Sequence, residues 1–260
     1  MEAWMIERKS CRRYLDQRVP EAIFEAIETQ KENFQFPHHQ QFDWGVTLIK
    51  EGAQVSSHFT GPISRYVCVK APHYLLLSCA PQENDSFLIG FLGQCFVRMF
   101  TELGIATCWV GFPIKDELAH SLGVPTRHHY KVMIAFGHSE AQVHKPAIDK
   151  PSGHKRKTLS QIGYNGQEED QWLYEALNVA PSAVNTQPWY LEHKQGSYHY
   201  YVTKKSLLSH LISKMNAIDM GIGFYHIYST IKSNGYRMSW EFEVENSNIG
   251  RQLLHFKYFE

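Results

Sequence analysis

Ala180-Pro181-Ser182-Ala183-Val184-Asn185-Thr186-Gln187-Pro188-Trp189 separates two segments of different period. Ahead of it, from Gln167 to Val179, Trp172, Leu173, Ala176 and Leu177 recur at helical spacing and predict an amphipathic helix. Behind it, Trp189 to His193 reads as a strand. Pro181 and Pro188 fix φ and carry no N–H, so the intervening loop keeps its shape without a ladder. Small residues let a flat ligand lie close to backbone, while Ser182, Asn185 and Gln187 both donate and accept hydrogen bonds. Taken alone, the run also suits an ordinary helix-to-strand turn.

Two other stretches carry chemistry. Residues 5–14 hold Arg8, Lys9, Arg12 and Arg13 together with Ser10, ahead of a helix that opens near Pro20 and buries Ile23, Phe24 and Ile27. Cations before a helix N-terminus bind phosphate jointly with the free N–H groups, although a charged cluster equally suits a solvated face. The second stretch, Gly104-Ile105-Ala106-Thr107-Cys108-Trp109-Val110-Gly111-Phe112, follows a long apolar helix predicted from about Ser86 to Leu103 with its N-cap at Asp85. Cys108 reads as a buried small hydrophobe rather than a nucleophile. Ala71 to Cys79 is apolar without alternation and predicts a central strand covered on both faces. Phe42 to Ile49 and Lys131 to His138 read as further strands, and Pro113 to Leu122 as a short helix.

Composition bounds the function. With 260 residues and 43% hydrophobic content, the chain buries a substantial core. Formal net charge is zero, so no global basic field argues for nucleic acid. No apolar run approaches the ~20 residues of a membrane span, and the first residues lack signal-peptide order. Five cysteines without a C-x-x-C, none after Cys108, argue for a reducing compartment; the expected location is cytoplasmic. The adjacent pairs His38-His39 and His128-His129 send their rings apart, so no metal site is expected.

The opening run resembles the A-P-S-x-x-N-x-Q-P-W signature of the FMN-dependent nitroreductase family, between helix and strand as in that family. Arg8-Lys9-Ser10-Cys11-Arg12 resembles its R-R-S-x-R element, and residues 104–111 its G-L-G-x-C-W-x-G segment. The resemblance implies an α+β fold with mixed or antiparallel sheets flanked by long core helices. It implies an FMN phosphate held by Arg8, Lys9, Ser10 and Arg12, and a flavin ring passed by Thr107, Cys108, Trp109, Val110 and Gly111. Pro181, Ser182, Ala183, Asn185 and Gln187 would wall the ring. A basic tail, here Lys145, Lys150, Lys155, Arg156 and Lys157, would close on the phosphate, though its Pro and Gly content also suits a linker.

The two ends of the chain repeat each other. Gly90, Gly104 and Trp109 recur as Gly221, Gly235 and Trp240, each 131 positions later, and Asp219-Met220-Gly221-Ile222-Gly223 resembles the D-x-G-x-A opening of the family's core helix. The halves are expected at 1–160 and 161–260. The basic element occurs only in the first; the A-P-S run occurs only in the second, where the first offers Lys31 to Gln41. In the dimeric family one flavin contacts both elements from opposite subunits, so this chain resembles a fused pseudo-dimer acting as a monomer with one complete site. The implied activity is ping-pong transfer from NADH or NADPH through FMN to a small electron-poor acceptor, a nitroaromatic or quinone. A flavin-binding protein without turnover, and a scaffold that has lost flavin, are the alternatives.

Overall fold

The computed structural model describes residues 1–37, 39, 41–60, 68–140, 156–166, 168–203 and 210–260, with backbone alone at 168 and 210–214. In chain order these form α1 (Ala3–Glu7), α2 (Glu21–Asn33), β1 (Trp44–Ile49), α3 (Ala53–Ser56), β2 (His73–Cys79), α4 (Asp85–Glu102), β3 (Ala106–Val110), α5 (Asp116–Ser121) and β4 (His129–Gly137). They continue with α6 (Gln171–Val179), β5 (Trp189–Lys194), β6 (Ser197–Thr203), α7 (His210–Ser233), β7 (Arg237–Asn246) and β8 (Gly250–Phe259). None of the described helices is long and apolar enough to cross a membrane.

The chain divides into two compact units. The N-terminal unit comprises residues 7–85 and 95–150; the C-terminal unit comprises 1–6, 86–94 and 151–260. This differs from a single break between 160 and 161, because the first half of α4 packs with α7 in the C-terminal unit.

The N-terminal unit carries a sheet of order β1-β2-β4-β3, every neighbour antiparallel. Each residue of β2 is buried, which explains its unbroken apolar run. Phe100 of α4 stacks on Phe136 of β4 at 4.6 Å. Helix α4 begins at Asp85 rather than being capped by it: Asn84, at φ 59, is the cap residue, and the Asp85 carboxylate is taken by Lys131 of β4 at 2.7 Å. Its buried apolar side chains are Phe87, Leu88, Ile89, Phe91, Leu92, Phe96, Val97 and Phe100, and Gln94 is buried as well, whereas Leu103 lies exposed past its end.

The C-terminal unit carries a sheet of order β5-β6-β8-β7, again antiparallel throughout. Both sheets thus run first, second, fourth, third strand, with the long helix between second and third. Each also has a register irregularity in its second strand, at Leu77/Ser78 and at Tyr200/Tyr201. Two related halves are therefore visible in the topology itself. Within the C-terminal unit, a Cβ on Gly90 would stand 2.0 Å from Ile218 O, and one on Gly221 would stand 1.9 Å from Phe87 O. The spacing of 131 that relates Gly90 to Gly221 also relates Phe87 to Ile218, so the two contacts exchange like those of an isologous interface. Asp219 lies well inside α7, not at its opening, because the helix already begins at His210.

Candidate functional site

In the N-terminal unit the basic element is pinned to β3. Ser10 pairs with Thr107 in a parallel bridge, and Cys11 N donates to Thr107 O at 2.8 Å. Tyr14 continues the attachment: its hydroxyl donates to Ala135 O at 3.1 Å and it bridges Ser139. The backbone therefore brings Arg8, Ser10 and Arg12 alongside Thr107 and Cys108. Arg8 is 6% exposed, whereas Lys9 and Arg12 are open to solvent. Thr107, Cys108 and Val110 are buried, while Trp109 is partly buried and Gly111 is exposed. Burial pushes the Cys108 thiol up to about 11, and the Arg12 and Arg8 charges pull it back only in part. The N-terminus of α2 already holds its own Glu21, paired with Lys50 at 2.6 Å and Arg18 at 3.3 Å. An acidic first turn opposes anion binding there, so the expected sharing of a phosphate with that helix is not supported by its charges.

In the C-terminal unit the 180–188 loop is built on side-chain ties. Val184, Asn185 and Gln187 have φ of 44°, 57° and 47°, a left-handed conformation unusual outside glycine. Gln187 N donates to Ser182 Oγ at 2.9 Å, and Gln187 Nε2 to Asn185 Oδ1 at 3.3 Å. Lys157 N donates to Gln187 Oε1 at 3.0 Å and Lys157 Nζ to Gln187 O at 2.6 Å. Arg156 donates to Val179 O, Ala180 O and Asn185 Oδ1 at 2.9–3.1 Å. It thus satisfies the open carbonyls at the end of α6, as a cation at a helix C-terminus does. Sequence reasoning gave Arg156 and Lys157 to a phosphate; here they hold the loop. Lys145, Lys150 and Lys155 lie outside the described residues, as do Gln167 and His38. Helix α6 begins at Gln171, after a 3-10 turn over Glu168–Asp170, with Tyr174 joining Leu173, Ala176 and Leu177 in its buried stripe.

One loop residue is anchored from α7. Ala183 N donates to both carboxylate oxygens of Asp219 at 3.0 Å, and Asp219 is 4% exposed. Burial pushes its carboxyl up to about 7 despite that N–H. The sequence gave one usable signal, an acid inside a long apolar helix, but no signal for its partner.

A further constellation escaped the sequence: Ser78 Oγ lies 3.3 Å from His128 Nδ1, and His128 Nε2 lies 2.9 Å from Asp43 Oδ1. The order of burial is wrong for a nucleophilic triad. Ser78 is 0% exposed, and the solvent end is Asp43, which also accepts two hydrogen bonds from Arg127. A 640 Å³ cleft in the C-terminal unit lies at the opposite end of α6 from the loop, where Asp170 is already engaged by His193 and Tyr258.

A family model described as Putative TM nitroreductase matches residues 1–231. A solved structure of a putative nitroreductase from Thermotoga maritima aligns with 97% of this chain and 91% of its own, at 18% identity and a TM-score of 0.60. The nitroreductase with bound FMN from Bacteroides fragilis aligns with 59% of this chain and 96% of its own, at 19% identity and a TM-score of 0.48. That with bound FMN from Desulfitobacterium hafniense aligns with 63% and 99%, at 20% identity and a TM-score of 0.47. No curated protein sequence matches the chain.

Proposed function

Because the chain belongs to the TM nitroreductase family, we propose that it is an FMN-dependent oxidoreductase drawing electrons from NADH or NADPH and passing them to a small electron-poor acceptor. A nitroaromatic or quinone is the expected class. When bound, FMN supplies the redox chemistry by accepting and returning a hydride equivalent.

The residues present fit that group by their chemistry. Arg8, Ser10 and Arg12, with exposed Lys9 between them in the chain, supply cations and a hydroxyl, a donor set suited to a phosphate dianion. The observation that carries the reading is the attachment of this element to Thr107: the phosphate element and the 107–111 segment, assigned by resemblance to one flavin, meet in one unit. In the C-terminal unit, Pro181, Ser182 and Ala183 offer a small-residue wall, and Asn185 and Gln187 are immobilised by the ties above. Protein groups thus bind and orient. No side chain described here needs to act as a nucleophile: the Cys108 thiol is buried and held neutral, and Ser78 is sealed from solvent.

The test begins with the absorption spectrum of the purified chain, followed by anaerobic addition of NADH or NADPH. Bound flavin that bleaches supports turnover; bound flavin that stays oxidised favours a flavin-handling protein; and failure of FMN to bind at all rejects the reading. Arg8→Ala should raise the FMN Kd at least ~tenfold, since a charge-assisted phosphate contact is worth roughly 1.5–3 kcal/mol. An unchanged Kd would remove the basic element from the site.

A further inference from the structure

The A-P-S loop holds an unfavourable backbone conformation, and something must keep it there. Its ties to Ser182, Arg156 and Lys157 act on Asn185 and Gln187. The N–H of Ala183, immediately before left-handed Val184, is instead committed to a buried carboxylate, both of whose oxygens lie 3.0 Å away. A buried carboxylate is costly and is retained where its charge serves a purpose.

We propose that Asp219 is a positioning residue of the flavin site: by accepting the Ala183 N–H it holds the 182–187 loop in its left-handed conformation, and it loosens that hold on taking up a proton. The proposal rests on the flavin reading above for its consequence, but the anchor itself is a property of the polypeptide. As a carboxylate, Asp219 offers a full negative charge to Ala183 N. Once protonated, one oxygen carries hydrogen, the charge is gone, and the remaining contact is an ordinary neutral hydrogen bond. Burial brings this exchange near neutral pH, to about 7. The titratable group facing Asp219 from β6 is Tyr200, raised by burial and then by the Asp219 charge, with its hydroxyl donating to Met220 O. The cations bound to the loop are Arg156 and Lys157, engaged with Asn185 and Gln187. Tyr200 is pushed away from neutrality, which leaves Asp219 as the titrating member of this pair.

The experiment has two arms on the full chain. Amide hydrogen exchange, corrected for intrinsic rate, follows Ala183 without added FMN from about pH 6 to about pH 8; FMN Kd is measured over the same range. In the unsubstituted chain, Ala183 protection should fall by ~tenfold toward the acid end and Kd should rise several-fold. Asp219→Asn should show the weaker protection and the weaker Kd at every pH, with no slope. Protection and Kd in Asp219→Asn equal to those of the unsubstituted chain would overturn the proposal. So would pH-independent protection of Ala183 in the unsubstituted chain, a result that needs no variant to fold. If that chain takes up no FMN at any pH, the flavin reading fails, and the exchange arm alone then upholds or overturns the anchor.

Discussion

Val184 has φ 44° and ψ 26° and is 84% exposed, a β-branched side chain in the left-handed region with no packing to recompense it. Such strain costs roughly 1–2 kcal/mol, more for a β-branched residue, and persists where surroundings over-determine it. Val184→Gly removes the steric conflict and adds unfolded-state entropy, for a net gain of about 0.5–1 kcal/mol in urea unfolding. Equal or lower stability would mean that the backbone there is not strained. Asp219 makes an opposite bargain, and its sign follows from linkage. Its carboxyl rises from 3.8 to about 7 on folding. Between these values the folded chain binds the proton that the unfolded chain has released, so stability falls as pH rises through that window and is level above it. Asp43 runs the other way: Arg127 and then His128 hold it down to about 2, giving stability present above the unfolded value and lost as pH falls through about 2. Asp219→Asn should therefore gain stability over the unsubstituted chain by about 2–3 kcal/mol more at pH 8 than at pH 5. A pH-independent difference between the two chains would reject the buried charge. Neither residue's role was legible beforehand. Side-chain types at 182, 185 and 187 raised the expectation of a ligand loop, but positive φ at a valine leaves no trace in the sequence, and the Asp219–Ala183 contact spans 36 positions.

At the scale of elements, the tightest constraint is the crossing of α4 and α7 in the C-terminal unit. A Cβ on Gly221 would come 1.9 Å from Phe87 O, and one on Gly90 would come 2.0 Å from Ile218 O, both against helix backbone that cannot rotate away. Gly221→Ala should cost at least about 1–3 kcal/mol by overpacking, outweighing the better helix propensity of alanine, and Gly90→Ala should match it. Urea unfolding checks both; a stabilised Gly221→Ala would show that the helices are not in contact there. These glycines were legible as repeats, because recurrence at a fixed spacing marks related positions. β2 was legible for a different reason: an interior strand covered on both faces needs no polar alternation, and His73–Cys79 has none that breaks its burial. The β5–β6 hairpin was not read, although Gln195 and Gly196, at φ 51° and 72°, make a two-residue turn between strands. Its first central position is a glutamine, and the usual Asn-Gly or Asp-Gly flag is missing.

For the whole molecule the question is how many flavins one chain takes, and the two helix-to-strand loops answer differently. Between α6 and β5 the chain lays out small residues and amides held by Arg156, Lys157 and Asp219. Between α2 and β1, the matching position in the shared strand order, it lays out an aromatic cluster. Phe34 meets Phe36 edge-on at 4.7 Å, Phe36 meets Phe42 at 5.1 Å, and Phe34 meets Trp44 at 5.6 Å. Phe36 and Phe42 are 4% and 6% exposed, so this loop is filled by its own side chains, and a planar ring would have to displace them. Positive charge is distributed just as unequally. Arg8, Lys9, Arg12 and Arg13 precede the first half's helix, whereas Tyr164-Asn165-Gly166-Gln167 stands at the corresponding place in the second. A phosphate needs cations and a flavin ring needs a flat, accessible wall; the cation run Arg8 to Arg13 and the amide-bearing run Ala180 to Trp189 each occur once in the sequence. The expected stoichiometry is therefore one FMN per chain, independent of protein concentration. Released-flavin absorbance against chain concentration, combined with mass determination by light scattering, measures it. Asn185→Ala should weaken binding without a second class of sites emerging, while Phe36→Ala should destabilise the chain by about 3–5 kcal/mol and leave the ratio at one. Two FMN per chain, or binding that appears only when chains dimerise, would mean that the aromatic loop opens to admit a ring and that the halves are more equal than their sequences.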